Sequence, residues 1–146
     1  NRLYEQLFDY PSNYLVIADD SGITVPALNY EPGIFSARYA GIGSSDMDNN
    51  NKLISRLCEE NLETTEAFYT AAIAMIYKDS IYTTHGWMYG RVQNKSEGDG
   101  GFGYDPLFIP NGYDQTLGHL DIEIKKELSH RAKAIDLALK IVKVIV

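Results

Sequence analysis

Apolar and polar residues alternate over the first part of the chain in a way that predicts short strands. Residues 14–18 form a brief apolar run, typical of a buried strand, and residues 19–22 are polar and predict the turn that ends it. Residues 23–28 predict a second strand, in which Pro26 indicates an edge position or a bulge. Further upstream, residues 2–8 are consistent with the tail of a helix that Pro11 stops.

The middle of the chain changes from a helical period to long apolar segments. Residues 47–61 place apolar side chains at helical spacing and predict an amphipathic helix. Residues 66–77 are apolar on both faces, so their aromatic and branched side chains favour a central strand while their alanines also suit a buried helix. A turn at residues 78–80 then leads into a strand over residues 81–92.

Two segments rich in glycine predict loops, one over residues 29–45 and one over residues 94–103. The first is long for a compact domain, and such loops are usually functional. Residues 107–109 predict a short strand closed by a proline, and the chain turns helical from residue 121. The last helix carries one apolar stripe, formed by Ile135, Ala138, Leu139, Val142, Ile145 and Val146.

Strands and helices are therefore mixed, which predicts an α/β or α+β domain with at least four strands spanning residues 1–146. The 146 residues, 45% of them hydrophobic, are enough for one core and exclude intrinsic disorder. No segment approaches the roughly 20 apolar residues of a membrane span. The lone cysteine, Cys58, lies on the apolar stripe of the first predicted helix, so we expect it in the core. A single cysteine also fits a reducing cytoplasm.

The net charge of −7 argues against general nucleic-acid binding, which needs a basic face. The charge is unevenly distributed, since the last 22 residues hold six Lys and Arg against two acidic residues. Cations near the end of the last helix suit the helix dipole, whereas Lys125 and the Ser129-His130-Arg131 cluster lie at its start. These residues are the better candidates to meet an anion.

Three clusters are candidates for chemistry. The first is Asp19-Asp20, whose adjacent carboxylates fit either a turn that satisfies backbone N–H groups or a Mg²⁺ site. The second is the glycine-rich segment 98–106, where Phe102 either stacks on a flat ligand or plugs the core. The third is the start of the last helix, where Ser129 is a capping residue and His130 and Arg131 lie beside free N–H groups.

Taken with a further segment at residues 32–41, these clusters resemble the inosine triphosphate pyrophosphatase family in their order and spacing. The four matching segments are Ala18-Asp19-Asp20-Ser21-Gly22, Pro32-Gly33-Ile34-Phe35-Ser36-Ala37-Arg38-Tyr39-Ala40-Gly41, Gly100-Gly101-Phe102-Gly103-Tyr104-Asp105-Pro106 and Ser129-His130-Arg131. The resemblance implies a two-lobed α/β fold with a mixed, twisted sheet and flanking helices. It also implies a homodimer that hydrolyses deaminated purine nucleoside triphosphates to monophosphate and pyrophosphate with Mg²⁺.

The resemblance also implies the roles of individual residues. Asp20 matches the catalytic and metal-binding aspartate, with Asp19 as a second metal ligand. The matching substrate contacts are Ser21, Phe102, Gly103, Tyr104, Asp105, Lys125, His130 and Arg131. The partners implied are a purine nucleoside triphosphate and a second copy of the chain, without nucleic acid or membrane.

This sequence departs from the family pattern in the residues before Asp19. Members begin with a strand and a loop of the type Thr/Ser-x-Asn-x-x-Lys, followed by a metal-binding glutamate, and neither precedes Asp19 here. The expectation is an N-terminally shortened family domain without its opening β-α-β unit. The alternative function is therefore a catalytically silent relative that binds nucleotides or serves as a dimeric interaction module, and a Mg²⁺ nuclease is disfavoured by the acidic charge.

Overall fold

A computed structural model describes residues 14–146. The centre of this fold is one five-stranded antiparallel sheet. The strand order is β2-β1-β3-β4-β5. The strands are β1 (Leu15–Val25), β2 (Glu31–Pro32), β3 (Thr64–Tyr77), β4 (Ser80–Gln93) and β5 (Phe108–Pro110). The helices are α1 (Asp46–Glu59), α2 (Ile122–Leu128) and α3 (His130–Ile145), with short 3-10 helices at Pro26–Leu28 and Gly33–Arg38.

The predicted combination of a sheet with flanking helices is confirmed. The helical tail predicted over residues 2–8 lies outside the described residues. None of the helices between residues 14 and 146 has the length and apolar character needed to cross a membrane.

The prediction of two strands separated by a turn at residues 19–22 is wrong, because β1 is one continuous strand. Residues 19–22 lie in mid-strand, where Asp19 pairs with Ile73 and Gly22 with Thr70 of β3. The polar residues remain extended because the ladder to β3 continues through them without interruption. Pro26 ends the strand and opens a 3-10 helix instead of occupying an edge strand.

Strands β3 and β4 form a long hairpin, so the strand interpretation of residues 66–77 is confirmed. The pairing runs from Thr64 opposite Gln93 to Tyr77 opposite Ser80. The turn between them uses Lys78 at a φ of 52°. This hairpin is the centre of the sheet, and β1 and β5 pair with its two outer edges.

The two faces of the sheet differ in what covers them. Directly paired residues of antiparallel strands share a face, so Ile23, Tyr69 and Met88 form one row on the face that we call the covered face. These three side chains are buried together with Leu53 and Leu57 of α1. The opposite or open face carries half-exposed aromatic side chains, including Trp87 and Tyr89.

Helix α1 begins close to the predicted position because its first turn is capped. The Ser45 hydroxyl accepts from the Asp48 N–H at 3.2 Å, and the Asp48 carboxylate accepts from the Ser45 N–H at 2.9 Å. Leu53 and Leu57 point into the core, as the helical spacing predicts. Cys58 is exposed instead of buried, because it lies one position beyond Leu57 and faces away from the sheet.

The terminal segment is two helices and not one. Ser129 interrupts it and caps α3 by accepting a hydrogen bond from the Ala132 N–H at 3.2 Å. The predicted apolar stripe is confirmed only in part, because Ala138 is buried and Val142 packs against the core, whereas Ile135 and Leu139 are about half exposed. The buried residues of α3 are His130, Ala134 and Ala138, of which the predicted stripe contains only Ala138.

Small residues set the position of α3 on the sheet. A Cβ at Gly86 of β4 would lie 2.1 Å from the carbonyl oxygen of His130 and 2.7 Å from the amide nitrogen of Ala134. The Thr84 hydroxyl on the same strand donates to the Ala134 carbonyl at 2.8 Å. The helix therefore rests directly on the backbone of β4.

Replacing Gly86 by alanine should destabilise the protein by about 3 kcal/mol, because the added methyl group meets helix backbone that cannot rotate away. A matched change, Gly112→Ala, tests conformational strain alone, since that glycine has a φ of 86° and open space around it. It should cost about 1 kcal/mol. Urea unfolding of both variants measures the two losses, and equal losses would contradict direct contact of α3 with β4.

Candidate functional site

A cleft of about 250 Å³ opens on the covered face between the glycine-rich loop and the two terminal helices. Apolar side chains and a few charged or polar groups meet there, which is the usual composition of a small-molecule site. The lining residues are Met88, Gly101, Phe102, Asp105, Leu117, Ile122, Lys125, Lys126, Ser129 and His130. We call this space the aromatic cleft, because the Phe102 ring is largely exposed at its edge.

The glycine-rich loop is fastened to the first helix at one residue. The Gly103 N–H donates to Asp46 Oδ2 at 2.7 Å, and the Gly103 carbonyl accepts from Asn50 Nδ2 at 3.0 Å. Both anchors lie on one side of α1, four residues apart. The loop that presents Phe102 is therefore held from outside the cleft as well as from within.

The loop is also held by a buried charge. Asp105 Oδ2 lies 3.6 Å from Lys125 Nζ and accepts a hydrogen bond from the Phe102 N–H at 3.3 Å. Burial raises the pKa of the Asp105 carboxyl, while the Phe102 N–H and the Lys125 ammonium oppose that rise. Gly101 has to be glycine, since it has a φ of 95° and its Cβ would lie 2.0 Å from that same carboxylate oxygen.

Tyr104 is buried and serves to connect the loop to the rest of the fold. Its hydroxyl donates to the Ser36 carbonyl at 2.8 Å, and burial raises its pKa above the ordinary tyrosine value. Ser36 in turn accepts from the Ile23 N–H of β1 at 2.9 Å. Gly22 permits this approach, because a Cβ there would lie 2.4 Å from the Gly33 carbonyl.

His130 lies at the floor of the aromatic cleft. Its ring stacks on Tyr69 at 4.8 Å between centroids and 13° between planes. Burial lowers the pKa of this histidine to about 4, and the positive charges of Arg131 and Lys133 act in the same direction. The imidazole is therefore neutral at physiological pH, and its buried Nδ1 has no hydrogen-bond partner among the described residues.

Arg131 extends from the next position of α3 toward β1. Its Nε lies 3.3 Å from Asp19 Oδ2, and its guanidinium carbon lies 5.9 Å from the centre of the Phe102 ring. The first and third clusters of the sequence thus meet at a single ion pair, and the second cluster lies beside it.

Asp20 lies on the other face of the sheet from Asp19, because successive side chains of a strand alternate. It borders a smaller cleft of about 180 Å³. The lining residues of that space are Asp20, Ser21, Gly22, Thr24, Gly33, Ile34, Thr70 and Ala72. None of the ion pairs found between residues 14 and 146 involves Asp20, so its exposed carboxylate is open to a ligand.

Magnesium fits the Asp20 cleft by donor chemistry. Mg²⁺ takes one or two carboxylates and fills its other positions with water and substrate phosphates. Asp20 supplies an unpaired carboxylate, and Thr24 and Thr70 share its face of the sheet. The two adjacent aspartates do not converge on one ion, and within the described part of the chain no group of three His, Cys, Asp or Glu side chains does so.

The structure thus brings together most of the predicted site residues. Phe102, Asp105, Lys125 and His130 line one cleft, and Arg131 borders it. Gly103 and Tyr104 belong to the same loop but are turned toward α1 and Ser36. Asp20 and the base of the aromatic cleft lie on opposite faces of the sheet.

Sequence reasoning did not identify the residues that hold the cleft from behind. In the sequence, Asp46 and Asn50 look like ordinary polar positions of an amphipathic helix. Tyr69 looks like an ordinary aromatic residue of a strand. Their contacts join positions more than 50 residues apart, so no local pattern reveals them.

Comparison with known proteins gives matches over most of the chain. The model of the Ham1 family matches residues 3–141. A dITP/XTP pyrophosphatase of Aliarcobacter butzleri is 61% identical over 131 residues, which are 90% of this chain and 66% of the relative. A dITP/XTP pyrophosphatase of Nautilia profundicola is 55% identical, over 93% of this chain and 68% of the relative. The chain thus spans about two thirds of the length of these curated relatives.

The fold of this chain is also similar to solved structures of proteins with these names. The Staphylococcus aureus Ham1 protein superposes with a TM-score of 0.82 at 40% identity, over 90% of this chain and 68% of that one. A nucleoside-triphosphatase, dITP/XTP pyrophosphatase from Mycobacterium abscessus gives a TM-score of 0.76 at 32% identity, over 93% of this chain and 71% of that one.

Acidification should destabilise the fold through His130. Its pKa is about 4 in the folded chain and about 6.5 once exposed, so the unfolded state takes up a proton that the folded state excludes. The stabilising contribution is complete above pH 6.5 and is lost as the pH falls toward 4, by about 2 kcal/mol. The stability difference between the wild type and His130→Gln, from urea unfolding, should therefore shrink by that amount between pH 7 and pH 4.5, whereas an unchanged difference would contradict a buried neutral imidazole.

Proposed function

Because this chain belongs to the Ham1 family, we propose that it acts as a nucleoside triphosphate pyrophosphatase on purine nucleotides with deaminated bases. The substrates are inosine and xanthosine triphosphates and their deoxy forms, and the products are the monophosphate and pyrophosphate. The family expected from the four sequence motifs is confirmed by the match over residues 3–141. The names of the relatives, dITP/XTP pyrophosphatases, support the substrate class.

The aromatic cleft is the observation that carries this proposal. A purine base is a flat ring with polar edges, and the cleft offers the exposed Phe102 ring beside an otherwise apolar wall. Lys125 adds the one ammonium group that is largely buried in this wall, where it lies against Asp105. A cleft with these groups suits a base better than it suits a polymer backbone.

Base discrimination follows from the hydrogen-bond donors at the floor and edge of the cleft. In this proposal His130 and Arg131 donate to the 6-keto oxygen of hypoxanthine or xanthine, which is supported by the unpartnered His130 Nδ1 and by the position of the Arg131 guanidinium beside Phe102. Adenine presents an amino group at that position, so a buried donor would stay unpaired. The neutral state of His130 is compatible with this role, since a neutral imidazole still donates through one ring N–H.

The triphosphate lies toward the exposed middle of β1 in this proposal. Asp20 orients the attacking water and accepts its proton, since its carboxylate has no partner among the described ion pairs. Mg²⁺, held by Asp20, supplies neutralisation of the phosphate charge when it is bound. The net charge of −7 makes that neutralisation necessary, because the body of the protein repels a triphosphate.

Assembly and location complete the proposal. We infer a homodimer that acts on free nucleotides in the cytoplasm, in a single domain that binds neither nucleic acid nor membrane. The acidic net charge and the single cysteine support this setting.

Activity is tested by pyrophosphate release from inosine, deoxyinosine and xanthosine triphosphates with Mg²⁺. We expect turnover of all three and at least about 100-fold slower turnover of adenosine triphosphate, because the keto-specific donors reject the amino group. Asp20→Asn should lower kcat by about 100-fold or more, since the amide cannot accept the proton.

The matched control is Asp79→Asn, which makes the same chemical change in the exposed turn between β3 and β4. It should leave turnover unchanged. Absence of pyrophosphate release from the wild type, or a wild-type rate in Asp20→Asn, would contradict the proposed activity.

Anchoring of the glycine-rich loop gives a second test. Asp46→Ala removes the acceptor of the Gly103 N–H and should raise KM for inosine triphosphate about fivefold, with kcat nearly unchanged, because the loop presents the base-binding ring less accurately. Asp48→Ala, in the same helical turn, removes a cap instead and should lower stability by about 1 kcal/mol with little change in KM. Steady-state kinetics and urea unfolding separate the two, and equal KM effects would contradict the anchoring role.

A catalytically silent nucleotide-binding protein is the second candidate. It is favoured by one observation, namely that Asp20 is the only carboxylate that the described residues bring to its cleft. Purine nucleotide binding in calorimetry without turnover would support this alternative against the enzyme.

A further inference from the structure

The two adjacent aspartates of β1 serve opposite sides of the sheet. Asp19 pairs with Ile73 and shares its face, and Ile73 packs against the buried face of α3. Asp20 pairs with Ala72 on the open face. The carboxylate on the same face as the aromatic cleft is therefore that of Asp19. Asp20, which matches the catalytic position of the family, lies on the opposite face.

The contact of Asp19 is with the buried part of an arginine. Arg131 Nε is inaccessible to solvent and makes no aligned hydrogen bond within residues 14–146. The carboxylate of Asp19, 3.3 Å away, is the charge that compensates it. A buried cationic N–H without such a partner is costly, so the pair fixes the direction of the guanidinium.

The fixed guanidinium reaches the cleft at its aromatic edge. Its central carbon lies 5.9 Å from the centre of the Phe102 ring, within the range of a cation–π contact. The pair with Asp19 uses Nε, so the two terminal NH₂ groups remain as donors for a ligand oxygen. Among the described residues, Asp19 is the only residue of β1 that forms an ion pair with Arg131.

We infer that Asp19 is a positioning residue for the purine base, acting through Arg131 and Phe102, and not a second metal ligand. The carboxylate directs the guanidinium along the Phe102 ring, so that ring and terminal N–H groups meet one edge of the base together. This inference rests on the proposed function and assigns its two aspartates to different parts of the nucleotide.

The experiment compares Asp19→Asn, Arg131→Gln and the double variant in the purified protein. Asp19→Asn should raise KM for inosine triphosphate about fivefold, the upper range of an exposed ion pair, while kcat and the Mg²⁺ concentration at half-maximal rate stay unchanged. In the Arg131→Gln background the same change should have no further effect, because the residue through which Asp19 acts is gone.

A readout that does not depend on turnover is binding of inosine monophosphate, measured by calorimetry with chelator in place of metal. Asp19→Asn should weaken it about fivefold, as it does KM. Asp79→Asn is the matched control, since it makes the same chemical change in the exposed turn between β3 and β4. It should leave both quantities unchanged, and thermal melting verifies that all variants are folded.

Four results would overturn the inference, and three of them are positive effects of the variants. These three are a shift of the half-maximal Mg²⁺ concentration in Asp19→Asn, a loss of kcat without a change in KM, and additive effects of Asp19→Asn and Arg131→Gln. Failure of the proposed function is distinguishable, because then the wild type releases no pyrophosphate at all. A wild type that is active while Asp19→Asn matches it in KM and in monophosphate binding overturns the role of Asp19 alone.

Discussion

The close approach of helix α3 to strand β4 is the constraint on which the candidate site depends. The helix rests on Gly86 with no side chain between, and the Thr84 hydroxyl fixes its first turns by binding the Ala134 carbonyl at 2.8 Å. At that distance His130 has to lie against Tyr69, and the same residue loses access to solvent and hence its charge. One missing Cβ therefore sets both the floor of the cleft and its electrostatics.

The rim of the cleft is held by charges that are individually costly and that compensate one another. Asp105 is buried and its pKa is raised, yet the Lys125 ammonium and the Phe102 N–H keep it inside the loop. Asp46 holds the same loop from α1. The ring of Phe102 is exposed while the backbone around it is fixed, which prepares a stacking surface before any ligand arrives.

Local sequence patterns predict the loop and the helix cap around this site better than they predict its geometry. The glycine-rich loop and the Ser129 cap follow from local rules of turns and caps, whereas the apolar period alone leaves residues 66–77 open between a strand and a buried helix. The mid-strand position of Asp19 and Asp20 does not follow from such rules, because a run of polar residues is normally a turn and only the ladder to β3 keeps it extended. The buried face of α3 is predicted only in part for a related reason, since the helix buries Ala134 beside Ala138 where close backbone approach needs small side chains.

The extended state of β1 changes the meaning of its adjacent carboxylates. In a turn, two neighbouring aspartates converge on one ion or on one set of N–H groups. In a strand they are separated by the sheet itself, so the same two residues meet a guanidinium on one side and an open cleft on the other. A nucleotide has two chemically distinct ends, a flat base and a charged phosphate chain. A strand that places one carboxylate on each face can serve both ends with adjacent residues, which a turn cannot do.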